Sequence, residues 1–187
     1  MPGMRHIILK TFTGPFTLIE HDDGSLATGW VDDELRERLK GSKLDRRLHP
    51  ELQERLHRYF DGKAVDFSDV PLPSAADFQL RCWRACRGIP RGATITYAQL
   101  AARAGSPNAF RAAGQSMRCN RLPIIIPCHR VVASNGSLHG FAGSVNAKGR
   151  ELSIKSRLLQ MEGALADEVL LPGRSGSRKR TPALSRA

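Results

Sequence analysis

The chain contains no uninterrupted apolar segment long enough to cross a membrane. A transmembrane helix needs about 20 consecutive apolar residues, whereas the apolar run at 124–126 is flanked on both sides by proline. The first ten residues, MPGMRHIILK, also lack the longer apolar stretch and the small-residue cleavage site of a secretory signal. We therefore expect a cytoplasmic protein with no membrane partner.

Cysteine is scarce, and the first 81 residues contain none. The four cysteines form no CxxC pair, which argues against a secreted disulfide framework. Cys82 and Cys86 are four residues apart and would share one face of a helix, where we expect both to be small buried residues. Because no second pair of ligands accompanies them, the sequence predicts no metal site.

Acidic residues become few after residue 72. Residues 73–187 carry 18 Lys/Arg and 5 Asp/Glu, a net charge of +13, whereas residues 1–72 carry 11 and 13, a net charge of −2. A strongly basic half is typical of a protein that binds a polyanion, most often nucleic acid. Charge alone leaves open a solvated basic surface without a partner.

The residue pattern predicts an α+β fold in two domains and a tail. Residues 1–72 are expected to form a small supporting domain, an antiparallel sheet from RHIILKTF, FTLIE and SLATGWV followed by helices at 32–40 and 50–60. Residues 73–165 are expected to form a mainly helical domain after a linker at 70–74. The tail, 166–187, is predicted to be disordered because its last 16 residues carry five basic side chains and lose periodicity.

Two consecutive helices are predicted in the second domain, after a helix capped by Asp77. Thr96 and Gln99 fit a capping box at the start of TYAQLAARAG, and Gly105 supplies a left-handed stop. Ser106 and Pro107 are predicted to start the next helix at once. This pattern indicates a helix-turn-helix of winged-helix type, although helical hairpins without DNA function share it. The alanine-rich side of the second helix suits either close approach to a partner or packing on a neighbouring helix.

Cys128 is the candidate nucleophile. It follows Pro127 at the end of an apolar run and precedes His129 and Arg130. A thiol reacts as its thiolate, and a nearby base raises the thiolate fraction. Adjacent side chains on an extended chain point to opposite sides, so the spacing by itself leaves open an inert buried thiol.

The complete string IPCHRVV resembles the active-site motif of the O6-alkylguanine–DNA alkyltransferases, the methylated-DNA–protein-cysteine methyltransferases. The resemblance covers about residues 78–163 and includes TYAQLAARAG, FRAAGQSMR, NGSLHGFAG and LLQMEG. It implies a DNA-repair enzyme that takes the alkyl group from O6 of a flipped guanine in double-stranded DNA and keeps it irreversibly on its own cysteine. No cofactor is implied, and a monomer suffices for this chemistry.

The resemblance also assigns the catalytic residues. Cys128 accepts the alkyl group, while His129, through a water, and Glu162 form the relay that removes the thiol proton. Asn120 braces this network. Tyr97 assists flipping and donates a proton to the departing guanine.

The DNA-binding and substrate-binding residues follow in the same way. Arg111 matches the finger that fills the gap left by the flipped base. The other DNA-binding residues that the resemblance implies, on or near a helix that enters the minor groove, are Tyr97, Ala112, Gly114 and Arg118. The residues that it places around the substrate, the last three in a lid loop, are Met117, Val131, Leu138, Phe141, Ala142 and Gly143.

Three features depart from the family pattern. The lid loop is followed by an insertion, SVNAKGRELS, and Cys119 stands where many relatives have glycine. The N-terminal domain lacks the zinc-binding cysteines of some relatives. Its histidines, expected at the surface, are His6, His21, His49 and His57.

Three other functions are compatible with parts of the sequence. A non-catalytic protein that binds alkylated DNA would lack the acceptor cysteine, which is present here. A transcriptional regulator would need a regulatory module that residues 1–72 do not resemble. A Cys–His hydrolase would need an oxyanion site and an acyl substrate, for which the chain gives no indication.

Overall fold

The N-terminal part of the protein contains a four-stranded sheet in the computed structural model, which describes residues 3–138 and 150–165. The strands are β1 (Arg5–Thr11), β2 (Gly14–Glu20), β3 (Leu26–Trp30) and β4 (Lys43–Leu44). Their order is β3-β2-β1-β4, with β1, β2 and β3 antiparallel and β4 parallel to β1. The predicted antiparallel sheet is confirmed, with one short parallel strand added at its edge.

Two helices accompany the sheet, α1 (Asp33–Leu39) and α2 (Pro50–Phe60). The Asp32 carboxylate caps α1 by accepting a hydrogen bond from the backbone N–H of Leu35 at 2.7 Å. Pro50 occupies the first position of α2, where its missing N–H leaves no bond unmade. The helix buries the side chains that share its predicted apolar face, Leu52, Leu56, Tyr59 and Phe60. Both helices match the sequence prediction to within a residue.

The C-terminal part is mainly helical, as predicted. Its elements are α3 (Asp77–Arg87), β5 (Ile95–Thr96), α4 (Tyr97–Arg103), α5 (Phe110–Arg118), β6 (Val131–Val132) and α6 (Arg150–Met161). Helices α3, α4 and α5 pack on one another, and β5 pairs in parallel with β6. With the N-terminal sheet, this arrangement confirms the α+β class.

The turn between α4 and α5 differs from the prediction. The capping box at Thr96 and Gln99 is present, and Gly105 has a φ of +78°. Helix α5 begins at Phe110 rather than Pro107, because residues 106–109 form a β-turn that is closed by the backbone N–H of Ala109 and the carbonyl of Ser106 at 2.9 Å. Proline at the second turn position and asparagine at the third favour that turn over a helix start.

Asp77 and His6 also differ from their predicted roles. Asp77 is the first residue of α3 and pairs with Arg81 one turn later, so it does not cap the helix. His6 is only 8% exposed, and its Nδ1 lies 2.7 Å from Ser42 Oγ, because the segment after α1 covers this end of β1. The prediction of a surface histidine was therefore wrong for His6. His49 and His57 are exposed, whereas His21 is half-buried.

A single hydrophobic core joins the two parts of the chain. The cluster includes Phe16 and Leu56 from the N-terminal part and Trp83, Ile126 and Leu158 from the C-terminal part, all at most 1% exposed. Cys82 and Cys86 are fully buried in it, as predicted. The division at residue 72 stays a prediction, since the core crosses it without a break.

Backbone hydrogen bonds reinforce this junction. The Thr28 backbone N–H donates to the Arg121 carbonyl and its hydroxyl to the Pro123 carbonyl, each at 2.9 Å. These contacts fix the sheet against the segment that leads to Cys128.

Neither a membrane-spanning helix nor a metal-binding cluster is present within residues 3–138 and 150–165. No helix there is long and apolar enough to cross a bilayer. In the same ranges, no three His, Cys, Asp or Glu side chains are grouped to hold a metal ion.

Gly92 tests the packing of this part of the fold. Its φ of +80° is strained for other residues, and an added Cβ would lie 3.0 Å from the Glu162 carbonyl oxygen. We expect Gly92→Ala to lower the free energy of unfolding by about 2–3 kcal/mol in chemical denaturation. Gly24→Ala is the control, since Gly24 has a φ of +78° with nothing within 4 Å, and should cost about 1 kcal/mol. Equal losses would contradict the close approach.

Candidate active site

A tight turn presents the candidate nucleophile. Pro127 has φ −78° and ψ 62°, the values of an inverse γ-turn, and the Cys128 N–H donates to the Ile126 carbonyl at 2.7 Å. A single 3-10 turn, Cys128–Arg130, follows. The chain is therefore not extended here, and Cys128 and His129 are both buried, at 6% and 0% exposure. The turn therefore places the neighbouring side chains of Cys128 and His129 in one buried environment, which their spacing in the sequence had left open.

Asn120 fixes the carbonyl on which the turn depends. Its side-chain Nδ2 donates to the Ile126 carbonyl at 2.9 Å, and its Oδ1 accepts from the Leu122 N–H at 2.8 Å. Asn120 thus holds the segment that leads to Cys128, and its predicted role in bracing the relay stays a prediction. Ile124, within this loop, has a φ of +75°, an unusual value for a β-branched residue and one that the surrounding packing must enforce.

His129 and Glu162 form a buried pair. His129 Nε2 lies 3.0 Å from Glu162 Oε1, and both side chains are fully buried. Burial lowers the pKa of His129 below its ordinary value and outweighs the attraction of Glu162. The neutral ring therefore donates from Nε2 to the carboxylate and keeps a lone pair on Nδ1, which has no hydrogen-bond partner among the described residues.

Arg130 secures the carboxylate. Its Nε donates to Glu162 Oε2 at 2.9 Å, its Nη2 to Oε1 at 2.8 Å, and its Nη1 to the Ile89 carbonyl at 2.6 Å. Burial alone would raise the pKa of Glu162, but the hydrogen bonds from His129 and Arg130 reverse that effect and hold it well below the usual range. Glu162 is therefore ionised at neutral pH.

The Cys128 thiol needs a base in this environment. Burial raises its pKa, while a hydrogen bond from Asn120, the charge of Lys155 and local backbone amides act in the opposite direction without reversing the shift. The sulfur is thus protonated at neutral pH. A proton acceptor such as His129 is needed to form the thiolate.

Lys155 is a site residue that the sequence analysis did not identify. Its side chain is fully buried on α6, where Nζ donates to the Val131 carbonyl at 2.7 Å, and burial lowers its pKa to about 8. The sequence did contain an indication of this role, because the spacing puts Lys155 on the same helical face as Leu158 and Leu159. A lysine on an apolar face needs a partner, since lysine is almost never buried without one.

Tyr59 is a second missed residue, and it comes from the N-terminal part. Its hydroxyl donates to Glu162 Oε1 at 2.8 Å and lies 3.2 Å from His129 Nε2. The sequence pattern indicated only an apolar position on α2, because long-range proximity leaves no local signal.

Tyr97 on α4 packs against Gly114 on α5. A Cβ on Gly114 would lie 3.8 Å from the Tyr97 ring, an ordinary van der Waals contact, so the ring packs close to the backbone of α5. Burial raises the pKa of Tyr97 to about 12. The phenol is a neutral donor.

The outer side of α5 faces solvent. Arg111, Ala112 and Arg118 are exposed, and the Arg111 guanidinium lies over the Phe110 ring at 5.6 Å. The opposite side, with Ala113 and Met117, is buried. Packing on neighbouring helices is therefore confirmed for the buried side, and close approach of the exposed side to a partner stays a prediction.

The substrate-pocket residues are only partly described. Val131 and Met117 are buried and Leu138 is half-buried. The lid residues Phe141, Ala142 and Gly143 and the insertion up to residue 149 lie outside the described residues.

A buried cysteine next to a histidine–carboxylate pair is typical of proteins that use a thiol as nucleophile. The family model described as the 6-O-methylguanine DNA methyltransferase DNA-binding domain matches residues 77–164. The methylated-DNA–protein-cysteine methyltransferase of Methanosarcina barkeri is 33% identical over 160 residues, which cover 85% of this chain and 97% of that protein.

Solved structures agree with this relationship. The O6-methylguanine methyltransferase of Mycobacterium tuberculosis has a TM-score of 0.70 and 30% identity, covering 88% of this chain and 96% of its own. The OGT protein of M. tuberculosis in complex with DNA has a TM-score of 0.69 and 31% identity, covering 86% and 93%. The chain belongs to the methylated-DNA–protein-cysteine methyltransferase family.

The buried ion pair generates a stability prediction. Glu162→Gln leaves the Arg130 charge without its counter-ion, so the free energy of unfolding should fall by about 3 kcal/mol near pH 7 in chemical denaturation. The matched control is Glu37→Gln, which removes an exposed pair with Lys40 and should cost less than about 1 kcal/mol.

The same pair predicts a pH dependence. Because the folded-state pKa of Glu162 lies below its ordinary value of 4.5, its stabilising effect is complete above that pH and is lost as the pH falls. Wild type should therefore lose more stability than Glu162→Gln between about pH 5 and pH 3. Parallel curves for the two proteins would show that folding does not lower the pKa of Glu162.

Proposed function

We propose that this protein repairs DNA by direct reversal, transferring the alkyl group of O6-alkylguanine to Cys128. The sulfur forms a bond to the alkyl carbon as the bond from that carbon to guanine O6 breaks, and the electron pair of the broken bond leaves on O6. The product is a thioether on the protein and an unmodified guanine. The observation that carries the proposal is a buried Cys128 beside the His129–Glu162 pair in a chain of this family.

Proton removal from Cys128 is assigned to His129. Its ring is neutral, its Nε2 is occupied by Glu162, and its Nδ1 is free to accept, directly or through a water. The ionised carboxylate stabilises the imidazolium that forms. This arrangement compensates for burial, which by itself keeps the thiol protonated.

Proton delivery to guanine is assigned to Tyr97. A phenol with a pKa of about 12 holds its proton at neutral pH and can donate it to the departing base. Its position beside Gly114 places it against α5, the helix assigned to DNA.

DNA binding is assigned to the exposed side of α5. The small side chain of Ala112 and the bare Gly114 suit a minor groove that is only about 6 Å wide. Arg111 carries a planar guanidinium that can stack in the gap left by a flipped nucleotide. The net charge of +13 on residues 73–187 adds non-specific attraction to phosphates.

The proposal includes the substrate, the oligomeric state and the residues of the substrate pocket. The substrate is double-stranded DNA that contains O6-alkylguanine, the protein acts as a cytoplasmic monomer, and each molecule reacts once because a thioether has no easy route back to a thiol. The pocket is assigned to Met117, Val131 and Leu138, and the lid to Phe141, Ala142 and Gly143. No cofactor is needed, since the cysteine is the acceptor.

The alternative is a protein that binds alkylated DNA without repairing it. Such a protein would have no use for the acceptor Cys128 or for a base that serves it. The mass-spectrometric experiment below separates the two functions.

Cys128 is tested by mass spectrometry of the intact protein after incubation with a duplex that carries one O6-methylguanine. Wild type should gain one CH2 per chain, mapped to Cys128, and Cys128→Ala should gain none while it still binds the duplex. Cys119→Ser removes an exposed thiol and should react like wild type. Alkylation of the Cys128→Ala variant would place the acceptor elsewhere, and an unmodified wild type that binds DNA would favour the non-catalytic alternative.

Arg111 is tested by comparing two substrates. Arg111→Ala should slow transfer from the duplex by about tenfold, because the flipped state loses a stacking partner, but should leave reaction with free O6-benzylguanine unchanged. Arg36→Ala, which removes an exposed arginine on α1, should affect neither rate. Equal losses on both substrates would argue against a role for Arg111 in flipping.

A further inference from the structure

Tyr59 belongs to the N-terminal part of the chain, but its hydroxyl lies in the candidate active site. Tyr59 lies in the last turn of α2, is 3% exposed and is 103 residues from Glu162 in sequence. Its hydroxyl is 2.8 Å from Glu162 Oε1 and 3.2 Å from His129 Nε2. It therefore touches both groups that serve the Cys128 thiol.

The direction of these hydrogen bonds follows from the charges. Glu162 is ionised and can only accept, so the Tyr59 O–H donates to it. Burial, reinforced by the negative charge of Glu162, raises the pKa of Tyr59 well above its ordinary value, so the hydroxyl keeps its proton. The Nε2–H of His129 donates to Glu162 Oε1 at 3.0 Å, and the Tyr59 oxygen is its more distant neighbour at 3.2 Å.

The position of the Tyr59 ring does not depend on the hydroxyl. The ring makes edge contacts with Phe60, Phe67 and His129, with centroid distances of 5.4, 6.4 and 6.4 Å. Removing only the oxygen should leave the packing in place. The contribution of the hydroxyl can therefore be separated from that of the ring.

We propose that Tyr59 is a positioning residue, whose hydroxyl fixes Glu162 and the His129 ring in the orientation that lets His129 take the proton of Cys128. The inference rests on the proposed function. Glu162 Oε1 accepts hydrogen bonds from Tyr59, His129 and Arg130. The hydrogen bond from Tyr59 offsets part of the negative charge of the carboxylate, and this weakens the attraction between Glu162 and a protonated His129. Without the hydroxyl, Glu162 holds a proton on His129 more strongly, and a protonated imidazole cannot act as a base.

The other groups facing His129 stay in place when the Tyr59 hydroxyl is removed. Glu162, which follows α6, favours the protonated ring, whereas Arg130 in the 3-10 turn and Lys155 on α6 oppose it. Cys128 precedes His129 and is a neutral thiol before reaction. None of these groups is replaced in Tyr59→Phe, but Glu162 loses a hydrogen bond that offsets part of its negative charge, so the His129 titration should move to higher pH.

The kinetic test is the single-turnover rate of alkyl transfer from an O6-methylguanine duplex, measured against pH. Tyr59→Phe should react about tenfold more slowly near neutral pH, as expected for losing one hydrogen bond to a charged group. Its rate should fall off at a higher pH on the acid side than that of wild type, with duplex affinity unchanged. A uniform loss across the whole pH range would instead indicate general structural damage and would overturn the proposal.

A matched control removes a buried hydroxyl elsewhere. Thr17 Oγ1 donates to the Ile7 carbonyl at 2.9 Å within the sheet, and Thr17 is fully buried. Thr17→Val should lose a similar amount of thermal stability but keep the wild-type rate and pH profile. A shift of its pH profile equal to that of Tyr59→Phe would contradict a specific role for Tyr59.

A second readout does not depend on activity. Ring ¹⁵N NMR should show the Nε2–H tautomer of His129 in wild type and a protonation midpoint at higher pH in Tyr59→Phe. A rate within about twofold of wild type or an unmoved His129 midpoint would overturn the proposal. Failure of the proposed function would be recognised separately, because it would appear as an absence of alkylation in wild type itself.

Discussion

The buried carboxylate of Glu162 is the contact on which the candidate active site depends. It follows the last helix, accepts from Arg130 and His129 in the turn after the nucleophile, and accepts from Tyr59 in the N-terminal part. Three distant segments therefore meet at one charged group. Because an unpaired charge is costly in an apolar core, each segment is held in place by the need to satisfy this carboxylate.

Burial gives Cys128 and His129 different acid–base properties. Burial makes the Cys128 thiol a poor acid, and the same burial keeps His129 a neutral base. The turn at Pro127 brings the two residues into one buried environment, and Asn120 holds that turn by its carbonyl. The Cys128 thiol therefore stays protonated at neutral pH unless a base takes its proton, as the proposed function requires.

The surface and the core of the C-terminal part make different contributions to the structure. The exposed side of α5 carries Arg111 and small residues, whereas its buried side packs against the remainder of the C-terminal part. The continuous core and the Thr28 hydrogen bonds connect the N-terminal sheet to the loop before Cys128. The N-terminal part therefore does more than support, since it also delivers Tyr59 to the site.

The sequence by itself determined the α+β class, the N-terminal strands and helices, the capping box at Thr96 and the identity of the motif around Cys128. These features depend on periodicity, capping chemistry and short spacings, all of which are local. Local rules failed at Ser106–Ala109, where a β-turn competed with a helix start, and at His6, which is covered by a distant segment. Only the tertiary structure brought Tyr59 and Lys155 to the candidate site and, through the contact with Glu162, indicated the Nε2–H tautomer of His129. Those outcomes depend on which buried polar groups meet across long separations in sequence, and the free energy of such contacts is decided by the packing of the whole core.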